Sequence, residues 1–115
     1  MWTLINFKQI YHVVPEKIVI VGDSAGGNLA AALTTFLLQW NLPPPSGLVL
    51  VYPCLNLNFN DYTPSLLSAL NDMILPHTFL KLCLQAYIRD SSFKPGSDPL
   101  ISPILTPSTI LEKYP

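Results

Sequence analysis

Charge is scarce in this chain: only 11% of its residues are Asp, Glu, Lys or Arg, and seven acids nearly balance six bases for a formal net charge of −1. Soluble domains usually carry about 25% charged residues, so the shortage describes the interior of a larger body more than the surface of a free-standing module. The balance of signs leaves no basic field for nucleic acid. Cysteine is limited to Cys54 and Cys83 and histidine to His12 and His77. None of these stands at a ligand spacing, so neither a zinc centre nor a disulfide framework is expected, and both thiols are expected to be buried as small apolar groups. No apolar run approaches the roughly 20 residues of a membrane span. The mixed residues from Trp2 to Gln9 do not make a secretory leader. The resulting expectation is a soluble protein of a reducing compartment, the cytoplasm.

What the chain has in quantity is apolar residues, at 50%, and 12 prolines among 115 residues. The apolar half argues against disorder, and the length suits one domain or part of one. Residues 2 to 12 carry a weak helical pattern that His12-Val13-Val14-Pro15 ends. Residues 17 to 21, Lys-Ile-Val-Ile-Val, are nearly continuously apolar, the pattern of a parallel strand covered on both faces. From Ala25 to about Trp40 the period becomes helical, with Leu29, Ala32, Leu33, Phe36, Leu37 and Trp40 forming one stripe. Three prolines at Pro43 to Pro45 are expected to stop that helix, and Gly47 to Tyr52 reads as a second continuous apolar strand. Strand, helix and strand in this order make a βαβ unit.

Beyond Pro53 the pattern is looser. Asn56 to Pro64 is rich in turn formers and is expected to wander over the surface. A helix resumes from Pro76, with Phe79, Leu80, Cys83, Leu84, Tyr87 and Ile88 on one packed face. Pro95, Pro99, Pro103 and Pro107 predict an extended, irregular tail, followed by a short helix over Ser108 to Lys113.

The chemistry lies where the first strand meets the helix. Gly22-Asp23-Ser24-Ala25-Gly26 has the G-x-S-x-G form of a nucleophile elbow, and its strand–turn–helix setting is the context such a motif requires. Ser24 is expected in strained backbone with positive φ, made tolerable by the glycines, and poised to attack an acyl carbonyl. The Ala25 N–H, at the helix's positive end, is the candidate oxyanion donor. Gly22, Asp23, Gly26 and Gly27 are the elbow-shaping residues, with the Asp23 carboxylate orienting the elbow or its loops. His12 and His77 each sit at a helix terminus and are assigned solvated, capping or other non-catalytic roles, and Asp72 with His77 is not expected to form an acid–base pair for Ser24.

Gly22-Asp-Ser-Ala-Gly-Gly-Asn28 resembles the elbow of the hormone-sensitive-lipase group of α/β hydrolases. The likeness continues through Leu48 to Pro53, Pro64 to Ser68, Leu75-Pro76 and the helix to Tyr87, and through Pro99 to Pro107 with Leu111 to Pro115. It implies an α/β fold class, a partial α/β-hydrolase fold of parallel strand, elbow, helix and parallel strand plus part of the cap-side connection. Residues 1–115 are accordingly expected to be a portion of one catalytic domain with no complete second domain. The implied activity is hydrolysis of carboxylic esters, acylglycerols or other acyl lipids, through an acyl-Ser24 intermediate without metal or organic cofactor. Peripheral contact with a lipid surface such as a droplet is a further implication.

The resemblance also marks departures. An HGGG-type oxyanion loop does not precede Val19, and the triad order is Ser, then acid, then His, with both partners expected after Pro115. Asp98-Pro99-Leu100 spells the family's acid motif but follows no strand, so Asp98 is not expected to be that acid. The long regulatory insertion of the animal lipases after Tyr87 is absent, so regulation by phosphorylation there is not carried over. The chain as it stands is expected to be inactive. Two alternatives remain: an inert small-ligand binder of the same fold, similar to plant gibberellin receptors, and a truncated product without function.

Overall fold

A computed structural model describes residues 2–68, 70, 72–88, 92 and 94–115. In chain order the elements are α1 (Trp2–Tyr11), β1 (Val19–Asp23), α2 (Ser24–Gln39), β2 (Gly47–Val51), α3 (Pro64–Ser68), α4 (His77–Tyr87) and α5 (Ser108–Leu111), with a 3₁₀ turn at Pro103–Leu105. The strands pair in parallel, Val19 opposite Gly47 through Asp23 opposite Val51. Ser46 sets this register from below: its N–H donates to the Ile18 carbonyl at 2.7 Å, and its Oγ accepts the Ile18 N–H at 3.2 Å.

The strands are not covered on both faces by the described residues. Ile20, Gly22, Leu48 and Leu50 are partly or fully buried, whereas Val19 and Val21 are 56% and 67% exposed, with Val49 and Val51 open beside them. Helix α2 packs against both strands and can cover only one side of a pleated pair, because successive side chains point to opposite faces. Burial of the second face needs another layer.

Helix α2 ends on a backbone device rather than on its prolines. Asn41 takes a left-handed conformation with φ +53°. The Leu42 N–H then donates to the Leu37 carbonyl at 2.8 Å, and the Asn41 N–H to the Leu38 carbonyl at 3.2 Å. This is the paired-bond pattern that closes many helix C-termini, with asparagine in the place usually taken by glycine. The prolines merely follow. His12 is likewise left-handed, φ +55°, exposed, with its N–H on the Lys8 carbonyl, and closes α1.

The buried face of α2 also differs from the apolar stripe. Leu29, Leu33 and Trp40 are exposed, and the buried residues include Asn28, Ala30, Ala31, Ala32, Thr34, Thr35, Leu37 and Leu38. Small side chains let the strands and the proline-rich tail approach the helix closely, and a segment apolar almost all round gives weak guidance as to which side that will be. The proline-rich tail packs inward. Ile101, Ser102, Pro103 and Thr106 are buried, the Ser102 Oγ accepts the Leu57 N–H at 3.0 Å, and the Ile104 N–H donates to the Leu55 carbonyl at 3.1 Å.

Thr35 joins helix to tail. Its hydroxyl lies 2.9 Å from that of Thr106 and 2.6 Å from that of Tyr114, while Tyr114 donates to the Ala31 carbonyl at 3.0 Å. Since the tyrosine's single proton goes to Ala31, the chain runs one way: Thr106 donates to Thr35, Thr35 to Tyr114, and Tyr114 to the backbone. Thr34 is equally buried but donates only to Ala30, on its own helix.

Short helix α3 was not expected from the sequence. Thr63 nucleates it, its Oγ1 accepting the Leu66 N–H at 3.2 Å. Helix α4 begins one residue after Pro76, but none of its residues is buried. Cys83 is exposed and Cys54 half-buried, so neither is the buried thiol expected; the apolar stripe of α4 borders a cavity instead of a packed layer. Ser91 and Phe93, part of the segment read as lacking a strand, lie outside the described residues. No described helix is long and apolar enough to cross a membrane.

Thr35→Val is expected to lower stability by about 1–3 kcal/mol, because it strands a buried hydroxyl. Thr34→Val is expected to cost under about 1 kcal/mol, since the Ala30 carbonyl keeps its helical N–H partner. Denaturant midpoints of the two variants should therefore separate clearly, and equal midpoints would contradict the directed chain.

Candidate active site

The candidate site lies at the carboxyl ends of the two parallel strands. There, Ser24 has φ +49°, while Asp23 before it is extended at φ −109° and ψ 149°. A left-handed serine costs about 1–3 kcal/mol unless its surroundings hold it. No described glycine has positive φ, so the glycines do not absorb the turn. They act by allowing close approach. A Cβ on Gly22 would lie 2.3 Å from the Gly26 carbonyl oxygen and 2.8 Å from the Gly27 nitrogen, and one on Gly27 would lie 2.7 Å from Pro53 Cβ. Gly26 departs from its expected shaping role: its nearest neighbour would be an Asp23 carboxylate oxygen at 3.9 Å, which is ordinary contact.

Asp23 is exposed and makes no side-chain cap to α2, so no described contact gives its carboxylate an orienting role. Ala25 follows in the first turn of a 16-residue helix, where backbone N–H groups have no intrahelical acceptor and carry the positive end of the dipole. The side-chain neighbour of Ser24 Oγ is Cys54 Sγ at 4.0 Å, and the Cys54 N–H donates to the Ser24 carbonyl at 3.2 Å. Tyr52, at the end of β2, is also left-handed at φ +36°, so the chain bends sharply above both strands.

These bends open onto a cavity of about 880 Å³. Ser24 and Cys54 lie in its wall, and Leu29 of α2, Leu80 and Leu84 of α4, and Ile104 of the tail supply apolar lining. Its volume falls in the range of about 300–1,000 Å³ usual for small-molecule sites. The stripe of α4 that periodicity assigned to packing is one side of this cavity. Cys54 and the α4 wall carried no motif that could have marked them in the sequence.

The other titratable candidates are engaged elsewhere. The Asp72 carboxylate accepts the N–H groups of Leu75 and Ile74, at 2.9 and 2.7 Å, which hold its pKa below the ordinary carboxylate value. His77 stands edge-on to Phe59, ring centroids 5.4 Å apart, with its Nε2 buried and without a hydrogen-bond partner. Asp98 accepts the Leu100 N–H at 2.8 Å and closes a turn through Ser102. Among the described residues no imidazole or carboxylate is hydrogen-bonded to Ser24 Oγ, and no cluster of His, Cys, Asp and Glu could hold a metal.

Residues 2–115 match a family model described as the alpha/beta hydrolase fold. The chain is 36% identical over 72 residues to hormone-sensitive lipase of Mus musculus, covering 63% of this chain and 9% of that protein. It is 44% identical over 81 residues to neutral cholesterol ester hydrolase 1 of Mus musculus, covering 67% of this chain and 19% of the relative. An esterase of Acinetobacter venetianus is 36% identical over 92 residues, covering 80% of this chain and 29% of the relative. In fold, the chain is similar to the crystal structure of carboxyl esterase 2 from the mycorrhizal fungus Tuber melanosporum, with a TM-score of 0.83 at 24% identity over 99% of this chain and 36% of that one. The chain therefore spans 9% to 29% of the length of these three curated relatives.

The spacing at the elbow separates its glycines. Gly22→Ala, which sets a methyl against backbone, is expected to destabilise the chain by about 1–3 kcal/mol or more, whereas Gly26→Ala is expected to stay within about 1 kcal/mol of the parent. Denaturation of the two variants checks this, and a Gly22→Ala protein as stable as the parent would count against the close approach.

Proposed function

The chain belongs to the α/β hydrolase fold family, as its elbow implied, and on that footing we propose that it carries the nucleophile of a serine carboxylic-ester hydrolase acting on acyl lipids or similarly apolar esters. The observation that carries this reading is Ser24 itself, left-handed between a parallel strand and a helix and opening on a large apolar cavity. The esterase and lipase names of its relatives support the reaction class.

In the proposed reaction Ser24 Oγ attacks the ester carbonyl carbon, and the carbonyl π electrons move onto oxygen beside the Ala25 N–H. Collapse of that intermediate breaks the ester C–O bond, and the departing alkoxide takes up the proton that Ser24 gave up. Water then adds to the acyl-Ser24 carbonyl and releases the acid, restoring the hydroxyl. The apolar lining from Leu29, Leu80, Leu84 and Ile104 holds a hydrocarbon part of the ester by excluding it from water. No metal or organic cofactor takes part in this scheme.

Deprotonation of Ser24 calls for a base that none of the described residues supplies. The proposal therefore includes a histidine and its acid from further parts of the catalytic domain, and residues 1–115 by themselves are expected to show no turnover that depends on Ser24. In serine proteases, loss of triad members lowers kcat by about 10⁴ to 10⁶.

Hydrolysis of nitrophenyl acyl esters tests the reading. The complete protein that carries these residues is expected to prefer hexanoate or octanoate to acetate, and Ser24→Ala to lower kcat by about 10³-fold or more. The isolated 115 residues are expected to hydrolyse no faster than their own Ser24→Ala variant. Equal rates for the complete protein and its Ser24→Ala variant would remove Ser24 from the reaction. Ester binding without turnover, with Ser24 intact, would support an inert binder of the same fold.

A further inference from the structure

One turn beyond Ser24 on α2 lies Asn28, only 4% exposed. Its Nδ2 is 2.7 Å from the Cys54 carbonyl oxygen and 3.0 Å from that of Ile101. With an acceptor on each side, both amide hydrogens are donated, one to the segment after β2 and the other to the tail. Cys54 in turn donates its N–H to the Ser24 carbonyl and sets its sulfur 4.0 Å from Ser24 Oγ. The hydrogen bonds thus close a ring from Ser24 along the helix to Asn28, across to Cys54, and back to Ser24.

We propose that Asn28 is a positioning residue for the nucleophile: it holds the Cys54 peptide against the Ser24 carbonyl, and so keeps Ser24 in its left-handed conformation at the cavity wall. The inference rests on the reading of Ser24 as the nucleophile and adds the residue that maintains its geometry. A strained backbone conformation persists only where its surroundings over-determine it. Asp23 supplies no side-chain cap, and Gly22 and Gly27 supply space rather than a restraint. The restraint comes from Cys54, and Asn28 is what holds Cys54.

Only a primary carboxamide fits the position well. A planar nitrogen with two hydrogens matches two carbonyl acceptors, and burial excludes a water that could replace either bond. A carboxylate would face both oxygens with lone pairs, and an aliphatic side chain would leave them unsatisfied. Through Ile101 the same side chain also fastens the tail, so the elbow is tied to residues 73 positions away in sequence.

The test compares the two thiols, both of which line the cavity. In the complete protein that carries these residues, Cys54 and Cys83 are alkylated with iodoacetamide and quantified by peptide mass spectrometry, with exposed Cys83 as internal reference. In Asn28→Asp the ratio of Cys54 to Cys83 alkylation is expected to rise about tenfold, the scale set by losing one buried hydrogen-bonded contact. As the pH falls, the introduced carboxyl protonates and regains one donor, so the ratio is expected to return toward that of the parent chain. Burial between two carbonyl oxygens places that recovery above the usual carboxylate range. A merely structural loss would show no such pH profile. A ratio within twofold of the parent at every pH would overturn the proposal.

If Asn28→Asp fails to fold, the parent chain still decides. Both Asn28 side-chain amide protons are expected to exchange with solvent at least tenfold more slowly than a free carboxamide, and exchange at the free rate would overturn the proposal. In the complete protein, a fluorophosphonate reports separately on Ser24. Asn28→Asp is expected to lower the maximal labelling rate about tenfold while leaving the half-saturating concentration unchanged; a change confined to that concentration would overturn the positioning role. Absence of any labelling in the parent protein would instead remove Ser24 as nucleophile, while alkylation and exchange still decide whether Asn28 holds the loop.

Discussion

Everything at the carboxyl edge of this small sheet depends on how closely β1 approaches the first turn of α2. A side chain on Gly22 would fall within 2.3 Å of the Gly26 carbonyl oxygen, and one on Gly27 would meet the ring of Pro53 at 2.7 Å. The absence of both side chains lets the strand run into the helix without an intervening loop. Ser24 then occupies the one position where the chain reverses, and its positive φ follows from that geometry. The glycines contribute space rather than conformational freedom, since none of those described is left-handed.

A second consequence is that the segment after β2 must lie against the elbow. Pro53 touches the place where a Gly27 side chain would be, Cys54 bonds to Ser24, and Asn28 bonds to Cys54. The proline-rich tail then lies against the same segment through Ser102 and Ile104 and reaches α2 through Ile101, Thr106 and Tyr114. Short polar side chains on α2 make these connections, which explains why the buried face of the helix holds Asn28 and Thr35 while Leu29 and Trp40 stay exposed.

Helix α4 obeys a different rule. Its apolar stripe meets a cavity, and no side-chain hydrogen bond or ion pair fastens it to the strands among the described residues. Apolar side chains bordering empty volume are suited to an apolar ligand, because covering them removes hydrocarbon from water on both partners. The same stripe in a packed layer would have had no room for one.

Both strands, helices α1, α2, α4 and α5, their order and the reactive turn were legible in the amino-acid sequence, because each rests on local chemistry, whereas short α3 was not. Continuous apolar runs at Ile18 to Val21, all β-branched, and at Leu48 to Val51 favour strands, helical periodicity follows Ser24, and glycine, serine and glycine at alternate positions mark an elbow. Tertiary structure alone decided which side of α2 is buried, that Cys83 is exposed, and that Asn28 joins Cys54 to Ile101. Each of those outcomes depends on which distant segment arrives at a given face. An Asn or Thr in the sequence carries donors and acceptors, but its partners are chosen only when residues up to 83 positions apart are brought together.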